Sequence, residues 1–247
     1  MKYLVSLLLL IPLFLFSQSV TIEYDVNVNV LNRKGILKFN KNENSFYCEK
    51  IKEVSDKEEK IQEIGSLKKT IYLGKNSIEE RIQIYDQKKD TLFSVDYLLN
   101  EEVLCAEKFP LMDWELESET KLISNFLCSK AITYFRGRNY IAWYTVDLPI
   151  QVGPWKFNNL PGAILQVYDE TNNYSWSATK ISNNLEDEKV KIDKNLKKIS
   201  LQNYIEQDEK LKKELSNKAL LKFIQRGAEI VERKYDRGRE TKFEWEK

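Results

Sequence analysis

The chain has 247 residues, of which 42% are hydrophobic and 31% charged, enough apolar material to bury a core. Its 39 basic and 38 acidic side chains alternate in sign instead of gathering on one stretch, which argues against nucleic acid as a partner. Histidine is absent, so Ser-His-Asp and Cys-His catalysis and every histidine metal site are excluded.

Lys2, the apolar run Leu4 to Phe16 and the small-residue exit Ser17-Gln18-Ser19 read as a secretory signal over residues 1–18, too short to span a bilayer. The expectation is export to the periplasm or beyond, with no transmembrane anchor once the signal is removed. The rest, 19–247, reads as a single domain, β-rich over 19–192 and helical over 200–235.

Val20, Ile22, Tyr24, Val26, Val28 and Val30 alternate with polar residues, the pattern of a half-buried antiparallel strand. Gly35 suggests a turn, followed by strands from Ile36 and from Ser45. Between Glu49 and Lys69 lysine and glutamate dominate, as in a solvated loop or short exposed helix. Short strands are expected at Thr70 to Leu73, Arg81 to Tyr85 and Thr91 to Leu98, and Trp114 reads as core. Cys128 to Tyr144 reads as a hairpin turning at Arg136-Gly137-Arg138, and Tyr174 to Ile181 as the return strand after Ala163 to Tyr168. Val190 to Ile192 offers a further edge.

From Ser200 the period lengthens to near 3.6. Leu201, Tyr204, Ile205, Leu211 and Leu215 define a helix capped by Ser200, and Leu220, Leu221, Ile224, Ala228 and Val231 a second, capped by Ser216 or Asn217. The end of the chain, Arg237 to Lys247, reads as frayed. The fold expected is α+β: a curved antiparallel sheet with C-terminal amphipathic helices packed on it.

Cys48, Cys105 and Cys128 allow at most one internal bridge, and Cys105 with Cys128 is the pair considered, against three buried thiols. Neither zinc nor calcium spacing is present, so no metal and no cofactor are expected.

Turn chemistry concentrates between Trp143 and Tyr168. Gly153-Pro154 and Asn159-Leu160-Pro161-Gly162 shape the backbone, while Trp155, Phe157 and Leu160 supply apolar contact. Asn159 is suited to a left-handed backbone, and Asn159 to Gly162 is expected to turn tightly with Leu160 at least partly buried.

Together with Trp114, Glu119-Thr120-Lys121, Cys128-Ser129-Lys130-Ala131, Arg136-Gly137-Arg138 and Ala142-Trp143-Tyr144-Thr145, this stretch resembles the GLPGLI family of exported bacterial proteins, its signature degenerate here as Asn-Leu-Pro-Gly-Ala-Ile. That resemblance implies the envelope compartment and one domain, and it transfers no catalytic residue.

Two functions follow. One is a non-enzymatic envelope module that binds a protein partner or apolar ligand through Arg136, Arg138, Trp143, Trp155, Phe157 and Leu160. The alternative is a carboxylate-dependent hydrolase or transferase acting on glycan or cell-wall material, with Asp147, Asp169 and Glu170 as the acid and base candidates.

Overall fold

A computed structural model describes residues 19–29, 31–40, 44–51, 60–64, 67–71, 80–99, 101–182, 193, 195–224 and 237–246. The expected signal segment and the Val190 to Ile192 edge therefore lie outside the described residues.

Among the described residues twelve strands form one sheet. In chain order these are β1 (Ser19–Val28), β2 (Leu31–Asn40), β3 (Ser45–Ile51), then β6 (Glu80–Asp86), β7 (Thr91–Leu98), β8 (Glu101–Lys108), β9 (Glu115–Ile123), β10 (Phe126–Phe135), β11 (Arg138–Thr145), β12 (Ala163–Asp169), β13 (Tyr174–Ser182) and β14 (Lys197–Ser200). β4 (Lys60–Ile64) and β5 (Leu67–Ile71) make a separate hairpin where a solvated loop or exposed helix is expected from the sequence. The order across the large sheet is β14-β8-β7-β6-β3-β2-β1-β13-β12-β11-β10-β9. Every pairing is antiparallel except β14 with β8.

The sheet curls without closing. β8 and β10 stand nine places apart in it, about 43 Å along a flat sheet at the usual strand spacing. Yet Arg136, in the turn after β10, lies 2.7 Å from Glu107 on β8. Only strong curvature brings those groups together, and among the described residues β14 and β9 are the two edges.

One face of β1 carries Val20, Ile22, Tyr24 and Val26 into the core, as the alternation requires. Gly35 is a strand residue, not a turn: it pairs with Tyr24 and Glu49, and a Cβ there would stand 2.7 Å from the Tyr47 hydroxyl. The turn falls at Asn29, whose φ is 55°. β8, β9 and β14 have no counterpart in the sequence reading. β8 is buried at Val103, Leu104 and Cys105 without alternation, and β14 is only four residues long.

The helical region contributes one helix among the described residues, α1 (Leu201–Ile224), which runs through Ser216 and Asn217 without a break. Ser200 caps it, its Oγ accepting from the Asn203 N–H at 3.3 Å. Tyr204 and Leu211 pack on Leu98, Val103, Cys105 and Ile199. No described helix is long and apolar enough to cross a membrane. Arg237 to Glu246, expected to fray, is instead anchored: the Thr241 N–H donates to the Arg136 carbonyl at 2.8 Å, and Phe243 and Arg239 are buried.

Candidate functional site

The loop between β11 and β12 fills the hollow of the curled sheet. Trp155, Phe157 and Leu160 are buried at 7%, 0% and 1% exposure. The Trp155 indole stacks on Trp176 at 5.8 Å, and Phe157 meets Trp176 and Tyr140 edge-on at 5.1 and 4.9 Å. Asn159 has φ 68° and donates from Nδ2 to the Met112 carbonyl at 3.0 Å. Gly162 passes so close to β11 that a Cβ would lie 1.9 Å from the Thr145 carbonyl oxygen. Gly153 is hydrogen-bonded to the Phe157 carbonyl at 2.7 Å, which closes the turn over Pro154, and Pro161 is exposed.

Lys156 points into an ion cluster: Nζ stands 2.5 Å from Glu107 and 2.8 Å from Glu240, and Arg136 binds Glu107, Glu240 and Glu244. Burial opposes charge on Lys156, but Glu107 and Glu240 outweigh it and raise its pKa. Burial likewise opposes charge on Glu240, and Lys156 and Arg136 reverse this and lower it. Arg138 donates to the Gly238 carbonyl at 2.7 Å and faces Asp169 at 3.4 Å. Both turn arginines are thus committed to the protein's own acceptors. Trp143 is buried with Lys121 Nζ 4.0 Å above its ring.

The carboxylates singled out from the sequence do not converge. Asp147 follows β11 at the end where Thr145 pairs with Ala163, whereas Asp169 pairs with Tyr140 at the other end. Asp169 is buried and held by Arg138, Thr171 and the Tyr174 N–H, while Asp147 and Glu170 are exposed. All three cysteines are buried free thiols. The Cys105–Cys128 bridge considered from the sequence is absent, and the alternative of three buried thiols is what the fold contains.

A polar cleft of about 210 Å³ lies beside the loop. Its floor is built by strand register: Glu49 on β3 faces Arg81 on β6, Tyr47 faces Gln83, and Gln83 faces Ser94 on β7. Asp96 lies two residues beyond Ser94, on the same face. Helix α1 covers the floor with Tyr204, Asp208 and Lys212, one per turn, and Trp155, Lys156, Arg239 and Glu240 line it as well. Five cationic and five acidic side chains line this space, so it is charged where an apolar cleft is expected from the sequence.

Glu49 anchors the floor. Its Oε1 accepts from the Tyr47 hydroxyl at 3.1 Å and Trp176 Nε1 at 3.3 Å, and its Oε2 from Arg33 at 3.4 Å and Arg239 at 2.8 Å. Burial opposes ionisation, but Arg239, Arg33 and Arg81 together hold the carboxyl at about 2. Asp96 and Asp208 are half-buried. Burial, then these two carboxylates, raise the Tyr204 hydroxyl well above an ordinary phenol. Among the described residues no group of His, Cys, Asp and Glu side chains is placed to hold a metal ion.

The residues of this cleft escape a motif search because each comes from a different strand or from the helix. Their only trace in the sequence is a polar residue on what becomes the inner face of β3, β6 or β7.

A curled, open antiparallel sheet with a polar cleft on its inner side defines the architecture. The chain belongs to the family described as N-glycanase peptide, N-terminal domain, whose model matches residues 69–206. Two crystal forms of PNGF-II share the fold. One is 18% identical with a TM-score of 0.52, covering 78% of this chain and 33% of that one; the other is 17% identical with a TM-score of 0.51, covering 78% and 34%. The chain therefore spans about a third of the length of PNGF-II. No curated protein matches the sequence.

These findings overturn the resemblance to the GLPGLI family. The stretch from Trp114 to Tyr168 that carries it lies wholly inside the N-glycanase match. Its turn residues serve a packed corner, which explains why they look like a signature.

Proposed function

We propose that this chain is a carboxylate-dependent hydrolase acting on glycans of the N-linked type, with the polar cleft as the place where the sugar is held. The observation that carries this reading is the position of the family match: residues 69–206 include β6, β7, the Trp155-Lys156 corner and Tyr204, and so most of the cleft. A lining of interleaved donors and acceptors suits a polyhydroxylated ligand. It does not suit an apolar one, and Trp155, Phe157 and Leu160 are spent on the core. These side chains therefore do not form the binding surface of a module for a protein partner or apolar ligand.

Asp96 and Asp208 are the carboxylates to which we assign the chemistry. Hydrolysis by such a pair needs one carboxyl to donate a proton to the departing atom and the other to activate water or attack. Glu49 and Glu240 are unsuited, because each is held by several cations that lower its pKa, leaving it no proton to give and little basicity to take one. We place the work outside the cytoplasm on the strength of Lys2 and the apolar run to Phe16.

Incubation of the full chain with an N-glycosylated glycopeptide, followed by measurement of released glycan, tests the reading. Asp96→Asn and Asp208→Asn are each expected to lower release at least a hundredfold while the protein stays folded. Release at the unaltered rate in both variants, or no release by the parent chain, overturns it.

A further inference from the structure

One arginine of the cleft floor, Arg81, has no side-chain acceptor of its own. Arg81 stands opposite Glu49 in register, the arrangement in which a cross-strand ion pair is expected. It forms none, because the four acceptor positions of the Glu49 carboxylate are taken by Tyr47, Trp176, Arg33 and Arg239. Among the described residues the Arg81 side chain makes neither hydrogen bond nor ion pair, and the residue is exposed.

Three guanidinium groups thus surround one carboxylate. Arg33 and Arg239 are buried at 7% and 8% exposure, and each leaves its Nε–H without an acceptor. The two buried guanidinium groups exceed the one buried carboxylate by a positive charge, which favours an anion nearby, while Arg81 carries its own charge at the solvent side. The other cations lining the cleft cannot serve as the anion's seat, since each already holds a carboxylate: Lys156 with Glu107 at 2.5 Å, Lys212 with Asp208 at 2.5 Å and Arg237 with Glu209 at 2.6 Å.

We propose that the cleft binds the anionic group of an acidic sugar, a carboxylate or a sulfate ester, on Arg81, with Arg33 and Arg239 supplying the field behind it. This rests on the glycan reading above and adds to it the class of sugar. A guanidinium presents two parallel donors, which match the paired oxygens of either anion. Arg81 acts here as a binding and orienting residue, on the same floor as Asp96 but without a part in the proton transfers.

Calorimetric titration of the full chain with sialyllactose, lactose sulfate, lactose and inorganic sulfate tests the assignment, with Arg81→Gln as the variant. At least one of the two acidic sugars is expected to bind tenfold or more tighter than lactose, to weaken with salt, and to lose that advantage in Arg81→Gln. Which of the two binds identifies the anion. Equal binding of lactose and both acidic sugars overturns the anion seat and leaves the glycan reading standing. Arg81-dependent binding of inorganic sulfate with no sugar bound supports the seat and overturns the glycan reading, and binding of nothing overturns both. Arg81 is exposed, so an unchanged melting curve for Arg81→Gln confirms that the variant is folded.

Discussion

Arg136 Nη2 lies 2.7 Å from Glu107 Oε2, although their strands stand nine places apart in the sheet. Lys156 joins the same carboxylate from the loop that fills the hollow, and Glu240 reaches both cations from the C-terminal segment. One buried cluster therefore ties together a strand near one edge, a turn near the other, the central loop and the end of the chain.

Removing one charge from such a cluster leaves its partners buried and unbalanced, which is costlier than loss of an exposed pair. Lys156→Met is expected to lower stability by about 3–5 kcal/mol, measured by urea denaturation. Adding Glu107→Gln should cost less than the sum of the single changes, because both remove the same contact.

The corner at Asn159 and Gly162 makes a separate prediction. Asn159→Gly keeps the left-handed backbone and loses the bond to the Met112 carbonyl, for a loss of about 1 kcal/mol. Asn159→Ala loses the bond and adds backbone strain, for about 2 kcal/mol. Gly162→Ala should cost about 3 kcal/mol or more, since the added Cβ meets backbone at Thr145 that cannot swing aside. Thermal and urea unfolding of the three variants should rank them in that order.

Glu49 sets an acid limit on stability. Its folded pKa of about 2 lies below the ordinary carboxyl value of 4.5, so the unfolded chain binds the proton more readily. The stabilisation is fully present above about pH 5 and is lost as pH falls toward 2, for a total on the order of 3 kcal/mol. Unfolding free energy measured from pH 6 to pH 2 should fall through this window. In Glu49→Gln that component of the slope should be absent, on a lower baseline, because Arg33 and Arg239 lose their anion.

Part of this molecule follows from the order of residues alone. The alternation from Val20 to Val28, the Arg136-Gly137-Arg138 turn, the start of helix α1 after the Ser200 cap and the crowded corner from Gly153 to Gly162 are local patterns, fixed by side-chain period, capping and backbone preference. The same patterns misled where burial on both faces removes alternation, as in β8, and where a glycine serves close packing instead of a turn, as at Gly35.

Tertiary structure alone decided the site. Glu49, Arg81, Asp96, Tyr204 and Arg239 are spread over almost 200 positions and share no spacing; sheet register, the curl of the strands and the return of the C-terminal segment bring them to one cleft. The corner that dominates the sequence is the packed support of that cleft, because apolar side chains in a hollow are drawn into the core. The charged residues beside them, unremarkable one by one, take their meaning from which partners the fold leaves them.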